Sequence, residues 1–126
     1  MLADTEAIYF VATAKPEAAR AFYEGILSLT LVADEPFALV FSLAGRMLRI
    51  AKTQAFEPAR HTVLGWSVPD IAQAVKGLRS RGIEFSRFEG TAQDELGVWQ
   101  SPSGAKIAWF TDPDGNALSL SEFPHP

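Results

Sequence analysis

The chain has 126 residues, of which 48% are hydrophobic and 21% are charged, a composition typical of one soluble globular domain. Its formal net charge of −4 gives no electrostatic basis for binding nucleic acid or an anionic membrane. Cysteine is absent, which excludes disulfides, thiolate nucleophiles and cysteine metal ligands. No apolar run approaches the roughly 20 residues that span a bilayer, and the N-terminus lacks the basic region of a signal peptide. We therefore expect a cytoplasmic protein.

The first half of the chain predicts a strand, a helix and three further strands. Residues 7–12 form a short apolar run that is partly β-branched or aromatic, which favours a buried strand. Residues 16–27 begin with a proline that suits the first turn of a helix, and apolar side chains follow at helical spacing. The remaining strands are predicted at 30–32, 37–43 and 46–53, the last two as a hairpin around Ala44 and Gly45.

The second half follows a segment, residues 54–61, that has no clear period and contains Pro58, so we expect a linker there. A strand is predicted at 62–68, and then a helix that Asp70 caps and Gly82 ends. Further strands are predicted at 83–85, 97–100, 107–110 and 117–120. The last two flank the turn Asp112-Pro113-Asp114-Gly115, in which proline fixes φ and glycine accepts a positive φ.

The two halves match in the order of their elements. Each runs strand, helix and then about three strands, over residues 6–53 and 62–123. Such an internal repeat is architectural evidence in itself. We expect a single domain, 1–126, of the α+β class, built from two βαβββ modules.

Several motifs of the chain resemble the vicinal-oxygen-chelate superfamily, which includes glyoxalase I, extradiol dioxygenases, and fosfomycin and bleomycin resistance proteins. The first strand and helix, with Phe22-Tyr23 and Leu27, are similar to the opening of that family. The passage Val68-Pro69-Asp70-Ile71 is similar to the start of its second module, and residues 110–116, FTDPDGN, are its most specific signal. The resemblance implies two βαβββ modules in a curved, barrel-like mixed sheet around a cavity, with the helices outside, in a protein that is usually a homodimer.

The enzymes of this superfamily typically bind a divalent metal through four side chains that face the cavity. The resemblance places these four positions at Ile8, Arg49, Val63 and Ser119. Zn, Ni, Mn and Fe(II) require imidazole or carboxylate ligands, which none of the four supplies, and a fixed cation at Arg49 disfavours a nearby dication. His61 and His125 lie in a linker and a tail, so we expect both to be surface residues. We predict no metal and no other cofactor.

Alternation along the strands sorts the remaining side chains onto two faces. One face is expected to pack under the helices, with Tyr9, Val11, Leu48, Ile50, Leu64, Trp66, Leu118 and Leu120. The other is expected to line the cavity, with Ile8, Phe10, Met47, Arg49, Val63, Gly65, Ser67, Ser119 and Ser121, together with the smaller Ala12, Ala51 and Ala117. Such an apolar cavity with a few polar groups is typical of a small-molecule site.

Arg49 has two interpretations. As a ligand-binding residue it pairs with an anionic group of the ligand, since guanidinium suits bidentate carboxylate recognition. As a structural residue it forms an internal salt bridge with an acidic residue, for which Asp94 and Glu95 in the polar loop are candidates.

Trp99 and Trp109 also have two interpretations, because the sequence does not fix the phase of their strands. Either could be a stacking platform for a planar ligand, or could pack in the core or at a dimer interface. We add both to the candidate cavity residues.

The sequence favours a metal-independent protein that binds a small hydrophobic or aromatic compound, with an anionic group as one option, and that forms a homodimer. This would be a binding protein like the bleomycin resistance proteins, without catalytic residues. One alternative is a glyoxalase-like lyase, isomerase or dioxygenase, which needs a metal or an acid or base in the cavity. A second is a dimeric protein-interaction module without a ligand. No nucleic-acid or membrane partner is expected.

Overall fold

The computed structural model describes residues 1–125 and separates into two compact units, the first Met1–Pro58 and the second beginning at Ala59. After a short 3-10 turn at Leu2–Asp4, the first unit contains β1 (Ile8–Thr13), α1 (Pro16–Arg20), β2 (Thr30–Asp34), β3 (Ala38–Leu43) and β4 (Arg46–Lys52). A π-helical turn, Ala21–Ile26, extends α1. The second unit contains β5 (Thr62–Ser67), α2 (Ile71–Arg79), β6 (Trp99–Gln100), β7 (Lys106–Thr111) and β8 (Ala117–Glu122).

The first sheet has the strand order β1-β4-β3-β2, with β1 parallel to β4 and the other pairs antiparallel. The predicted hairpin between β3 and β4 is confirmed, and both turn residues have a positive φ, 51° at Ala44 and 80° at Gly45. Positive φ at both central residues is the geometry of a tight two-residue hairpin, because its twist matches that of the strands. The hairpin therefore fixes the register of the two central strands.

The helix of the first unit covers one face of its sheet. Tyr23 lies in the π-helical turn and is fully buried, and its ring centroid lies 6.1 Å from that of Phe41 on β3. Leu48 and Ile50 on β4 are fully buried as well. Burying each such side chain contributes about 1.5–3 kcal/mol, so this packing holds the helix against the sheet.

The second sheet repeats this arrangement, with the order β5-β8-β7-β6, β5 parallel to β8 and the other pairs antiparallel. Both caps predicted for α2 are confirmed. The Asp70 carboxylate accepts a hydrogen bond from the Gln73 N–H at 3.1 Å. Gly82 has a φ of 97°, and the Ile83 N–H donates to the Leu78 carbonyl at 3.1 Å, which closes the C-terminus of the helix.

The strand predicted at 83–85 is wrong. The Ile83 N–H is used to close α2, so it cannot take part in a strand ladder. Ile83 is buried, as its apolar character indicates, and among residues 1–125 the ladder-like contact of this segment is a hydrogen bond from the Ser86 N–H to the Trp109 carbonyl at 2.7 Å. The strand predicted at 97–100 is shorter than expected, Trp99–Gln100, with one isolated bridge between Gln93 and Trp99.

The α+β class and the two βαβββ modules are confirmed. In each module the first strand pairs in parallel with the last one, and each sheet is mixed and open. No helix of the described residues is long and apolar enough to cross a membrane.

Candidate functional site

One face of the second sheet is covered by α2. Glu122 lies on the same face as Leu118 and Leu120, and its carboxylate accepts a hydrogen bond from the Ile71 N–H at 2.9 Å. Trp66 is on this face too, as expected, and stacks on Phe110 with ring centroids 6.3 Å apart. The opposite face, which we call the open face of the second sheet, carries the predicted cavity residues of this unit.

Pairing across the strands places two rows of side chains on the open face of the second sheet. One row contains Gly65, Ser119 and Trp109, on β5, β8 and β7. The next row contains Ser67, Ser121, Ile107 and Trp99. Six of the predicted cavity residues thus lie side by side on one face. Val63 stands apart at a β-bulge between Thr62 and Leu64, where it has no partner on β8.

Gly65 and Ser119 are in close contact on this face. A Cβ atom at position 65 would lie 2.9 Å from Ser119 Oγ and 3.3 Å from the Ser119 carbonyl oxygen. Distances below 3.0 Å require one of the two atoms to move, so an alanine at position 65 would displace the Ser119 hydroxyl. These two small residues are the neighbours of Trp109 in its row of the sheet.

Trp99 and Trp109 both face the open side, which fixes the strand phase that the sequence left undetermined. Their ring centroids are 6.1 Å apart with an interplanar angle of 36°. The ring of Phe88 meets Trp109 edge-on, with centroids 5.3 Å apart and an angle of 85°. These three rings, which we call the aromatic cluster, form a partly exposed apolar surface beside the hydroxyl of Ser119.

Hydrogen bonds from side chains of its own loop hold Phe88 in this cluster. The Gln93 side chain accepts a hydrogen bond from the Phe88 N–H at 2.8 Å, and it donates to the carbonyls of Ser86 and Gly97, each at 2.9 Å. Arg87 donates to the carbonyls of Asp94 and Glu95 at 2.6 and 2.7 Å. Phe88 and Gln93 were not among the residues predicted from the sequence. The available signal was an aromatic residue isolated in a polar loop.

The open face of the first sheet lies opposite its helix and carries the other predicted cavity residues. Ile8 pairs with Met47 and Phe10 pairs with Arg49 in the parallel ladder between β1 and β4. Ile8, Phe10 and Met47 are 47%, 62% and 41% exposed, which is high for apolar side chains in a sheet. Tyr9 was expected under the helix but is 38% exposed, because β1 is an edge strand with a neighbour on one side only.

Arg49 forms a salt bridge, but with a different partner from those expected. Its Nη2 lies 3.2 Å from Oε1 of Glu35, at the turn between β2 and β3. The acid that pairs with Arg49 is Glu35 of the same unit, in place of the expected Asp94 or Glu95. The Arg49 and Glu35 side chains are 32% and 47% exposed, so the pair is only partly shielded from water.

The four residues that the resemblance places at metal positions do not fit a divalent metal. Ile8 and Val63 have no donor atoms, Ser119 offers a neutral hydroxyl, and Arg49 is a cation. His61 and His125 are both exposed, as expected. Over residues 1–125 no group of three or more histidine, cysteine, aspartate or glutamate side chains is arranged to hold a metal ion.

The turn between β7 and β8 is organised by the buried carboxylate of Asp112. Its Oδ1 accepts hydrogen bonds from the backbone N–H groups of Asp114 and Asn116, both at 2.9 Å. Its Oδ2 accepts from the Asn116 side chain at 2.8 Å, and Gly115 has a φ of 88°. The Asp112 carboxylate thus stabilises the turn. The motif at residues 110–116, the most specific one of the chain, therefore has a role in folding.

Three solved structures illustrate the similarity of the fold. A superfamily member from Sphaerobacter thermophilus is 22% identical, with a TM-score of 0.74, over 97% of this chain and 99% of its own. A bleomycin resistance determinant encoded on the transposon Tn5 is 19% identical, with a TM-score of 0.74, over 95% and 98%. A lactoylglutathione lyase from Agrobacterium tumefaciens is 18% identical, with a TM-score of 0.68, over 94% and 93%.

No curated protein sequence matches the chain. The family model of the Glyoxalase/Bleomycin resistance protein/Dioxygenase superfamily matches residues 7–120, which is nearly the whole chain and includes both modules. The chain therefore belongs to the Glyoxalase/Bleomycin resistance protein/Dioxygenase superfamily.

Proposed function

We propose that the chain is a metal-independent binding protein for a small hydrophobic or aromatic compound, which lies on the open face of a sheet. The observation that carries this proposal is the aromatic cluster of Trp99, Trp109 and Phe88 on the open face of the second sheet. Partly exposed rings beside small polar residues are the usual composition of a small-molecule site. A bound planar ring system would gain stacking with Trp109.

The absence of suitable ligands at the metal positions supports binding without a metal. Binding of an apolar compound needs only the apolar and aromatic surface, whereas the enzymatic alternatives need a polarising group or a placed acid or base. Sequestration of a compound, as by a bleomycin resistance protein, is the concrete form of the proposal. We also propose that the protein acts in the cytoplasm.

Replacement of Trp109 by Leu tests the proposal with a neutral probe, N-phenyl-1-naphthylamine, whose fluorescence rises in apolar surroundings. We expect the wild type to bind the probe and Trp109→Leu to bind it roughly 2- to 10-fold more weakly, because one aromatic pair contributes about 0.5–1.5 kcal/mol. Phe37→Leu is the matched control, since Phe37 is highly exposed at the turn between β2 and β3 and outside the aromatic cluster. Equal affinities of the wild type and Trp109→Leu would contradict the proposal.

Elemental analysis of the same preparation tests the metal-independent part. We expect less than stoichiometric Zn, Ni, Mn and Fe, and the same probe affinity before and after treatment with a chelator. A stoichiometric metal whose removal lowers the affinity would show that other ligands hold it.

We also propose that the protein is a homodimer. β1 is an edge strand of its sheet, and Tyr9, which lies on the face opposite the open face, is 38% exposed. An exposed apolar edge strand is a site for association with another chain.

A further inference from the structure

A carboxylate and a guanidinium group lie together on the open face of the first sheet, beside the apolar side chains of Phe10, Ile8 and Met47. Arg49 stands in register between Phe10 on β1 and Val40 on β3, and Glu35 reaches it from the turn between β2 and β3. The exposed Ile8 and Met47 form the next row of the same face. An apolar ligand on this face would thus lie beside one ion pair.

This ion pair is easy to open. It has one nitrogen–oxygen contact of 3.2 Å, whereas a strong arginine–carboxylate pair uses two parallel hydrogen bonds. Both side chains are partly exposed, and such pairs contribute little to stability because water competes for each charge. Glu35 can rotate into water without becoming a buried, unpaired charge.

We propose that the Glu35–Arg49 pair is an anion-exchange site, at which a carboxylate or sulfonate group of a hydrophobic ligand displaces Glu35 and binds Arg49. The apolar part of the ligand then lies on Ile8, Phe10 and Met47. The proposal rests on the proposed function, which it extends to the open face of the first sheet, and it names the chemical class of the ligand there, an amphiphilic organic anion. Glu35 competes with the ligand for Arg49, so it lowers the affinity for anions and leaves that for neutral compounds unchanged.

Two probes with the same ring system separate the charged contact from the apolar one. 8-Anilinonaphthalene-1-sulfonate carries a sulfonate, and N-phenyl-1-naphthylamine is its neutral counterpart. We expect Glu35→Gln to bind the sulfonate about 2- to 5-fold more tightly than the wild type, since this range matches the strength of an exposed ion pair. The affinity for the neutral probe is expected to stay constant. Arg49→Gln is expected to weaken sulfonate binding and to cancel the gain in the double variant Glu35→Gln/Arg49→Gln.

Glu6→Gln is the matched control. Glu6 lies 3.8 Å from Arg46, which is on β4 like Arg49. Glu6→Gln therefore removes one negative charge and deprives an arginine of the same strand of its carboxylate partner. It is expected to leave the affinities for both probes unchanged. An equal gain in sulfonate affinity from Glu6→Gln would attribute the effect to net charge and overturn the proposal.

Failure of this proposal is distinguishable from failure of the proposed function. If both probes bind the wild type but Glu35→Gln does not change the ratio of their affinities, the anion-exchange site is wrong and the binding function stands. If neither probe binds the wild type or Glu35→Gln, both are wrong. Circular dichroism of each variant confirms that its fold is retained.

Discussion

At the scale of single residues, Gly65 and Ser119 show how the open face of the second sheet is limited to small side chains beside Trp109. The space above Gly65 is already filled by the Ser119 hydroxyl, 2.9 Å from where a Cβ would lie. The position that would hold a metal-binding carboxylate in the family's enzymes thus holds a serine packed on a glycine. A larger side chain at either position would fill the surface next to Trp109.

Gly65→Ala is expected to destabilise the protein by about 1–3 kcal/mol, the usual cost of overpacking. The control is Gly77→Ala in α2, where a Cβ meets nothing within 4 Å. It is expected to stabilise the protein by up to about 1 kcal/mol, the difference in helix propensity between glycine and alanine. Urea unfolding followed by circular dichroism measures both changes.

The contact with Ser119 is expected to cause this loss, so Ser119→Gly should recover part of the stability in the double variant Gly65→Ala/Ser119→Gly. The recovery is only partial because the Ser119 carbonyl oxygen remains 3.3 Å from the added Cβ. A fully additive double variant would show that the two residues do not interact.

The sequence could predict the faces of residues but not all of their partners. Strict alternation placed Arg49 and Ser119 correctly on the open faces. Glu35 was missed because a bulge between Leu31 and Ala33 shifts the register of β2 by one residue. A one-residue shift moves every later side chain to the opposite face. The bulge brings Glu35 to Arg49, and alternation alone could not locate it.

The phase of Trp109 could have been found from the sequence. Counting outward from the turn pairs Thr111 with Ala117 and therefore Trp109 with Ser119, which is the observed register. The same count around the turn at residues 101–105 pairs Trp99 with Ile107. The position of Phe88 could not be found this way, because side-chain hydrogen bonds from Gln93 and Arg87 set the path of its loop.

At the scale of elements, the same bulge turns Asp34 toward the helix. Its carboxylate lies 2.5 Å from Lys52 Nζ on β4 and 3.2 Å from Arg20 Nη1 at the end of α1. The hydrogen bond from Lys52 is the main cause that lowers the pKa of Asp34, and the hydrogen bond and charge of Arg20 add to it. Asp34 thus connects three elements of the first unit through charge.

The lowered pKa of Asp34 predicts a pH-dependent contribution to stability. A carboxyl group with a lower pKa in the folded state stabilises it above its unfolded pKa of about 3.9, and the contribution is lost as pH falls through the folded pKa. We expect Asp34→Asn to melt at a lower temperature than the wild type at pH 6, and the difference to shrink below pH 4.

Melting temperatures measured by calorimetry between pH 2.5 and pH 7 check this prediction. The matched control is Asp4→Asn, since Asp4 is exposed in the N-terminal 3-10 turn, away from α1 and β4. A difference between Asp34→Asn and the wild type that stays constant over the whole range would exclude ionisation as its cause.

At the scale of the whole molecule, two units with one topology account for the match of the family model to nearly the entire chain. The repeat in the order of elements was visible in the sequence, because strand and helix periods survive where sequence identity does not. The structure adds the pairing of first and last strands, which the order of elements leaves undetermined.

The homodimer predicts a particle of twice the mass of one chain in sedimentation equilibrium. Tyr9→Lys places a charge on the exposed edge strand β1 and is expected to shift the equilibrium toward the monomer. Val32→Lys is the matched control, because Val32 is exposed on β2, the other edge strand of the same sheet. A wild type that sediments as a monomer at high micromolar concentration would contradict the prediction.

The pairing of first with last strands also dictates when each module can be completed during synthesis. β1 has no partner until residues 46–52 exist, and β5 has none until residues 117–122 exist, whereas the hairpins form between neighbours in the chain. Pairings between strands far apart in sequence form slowly, since the loop between them must first be closed. The nascent second module therefore exposes an unpaired apolar strand until β8 is made. The yield of correctly folded module thus depends on the translation rate and on access of chaperones to this strand.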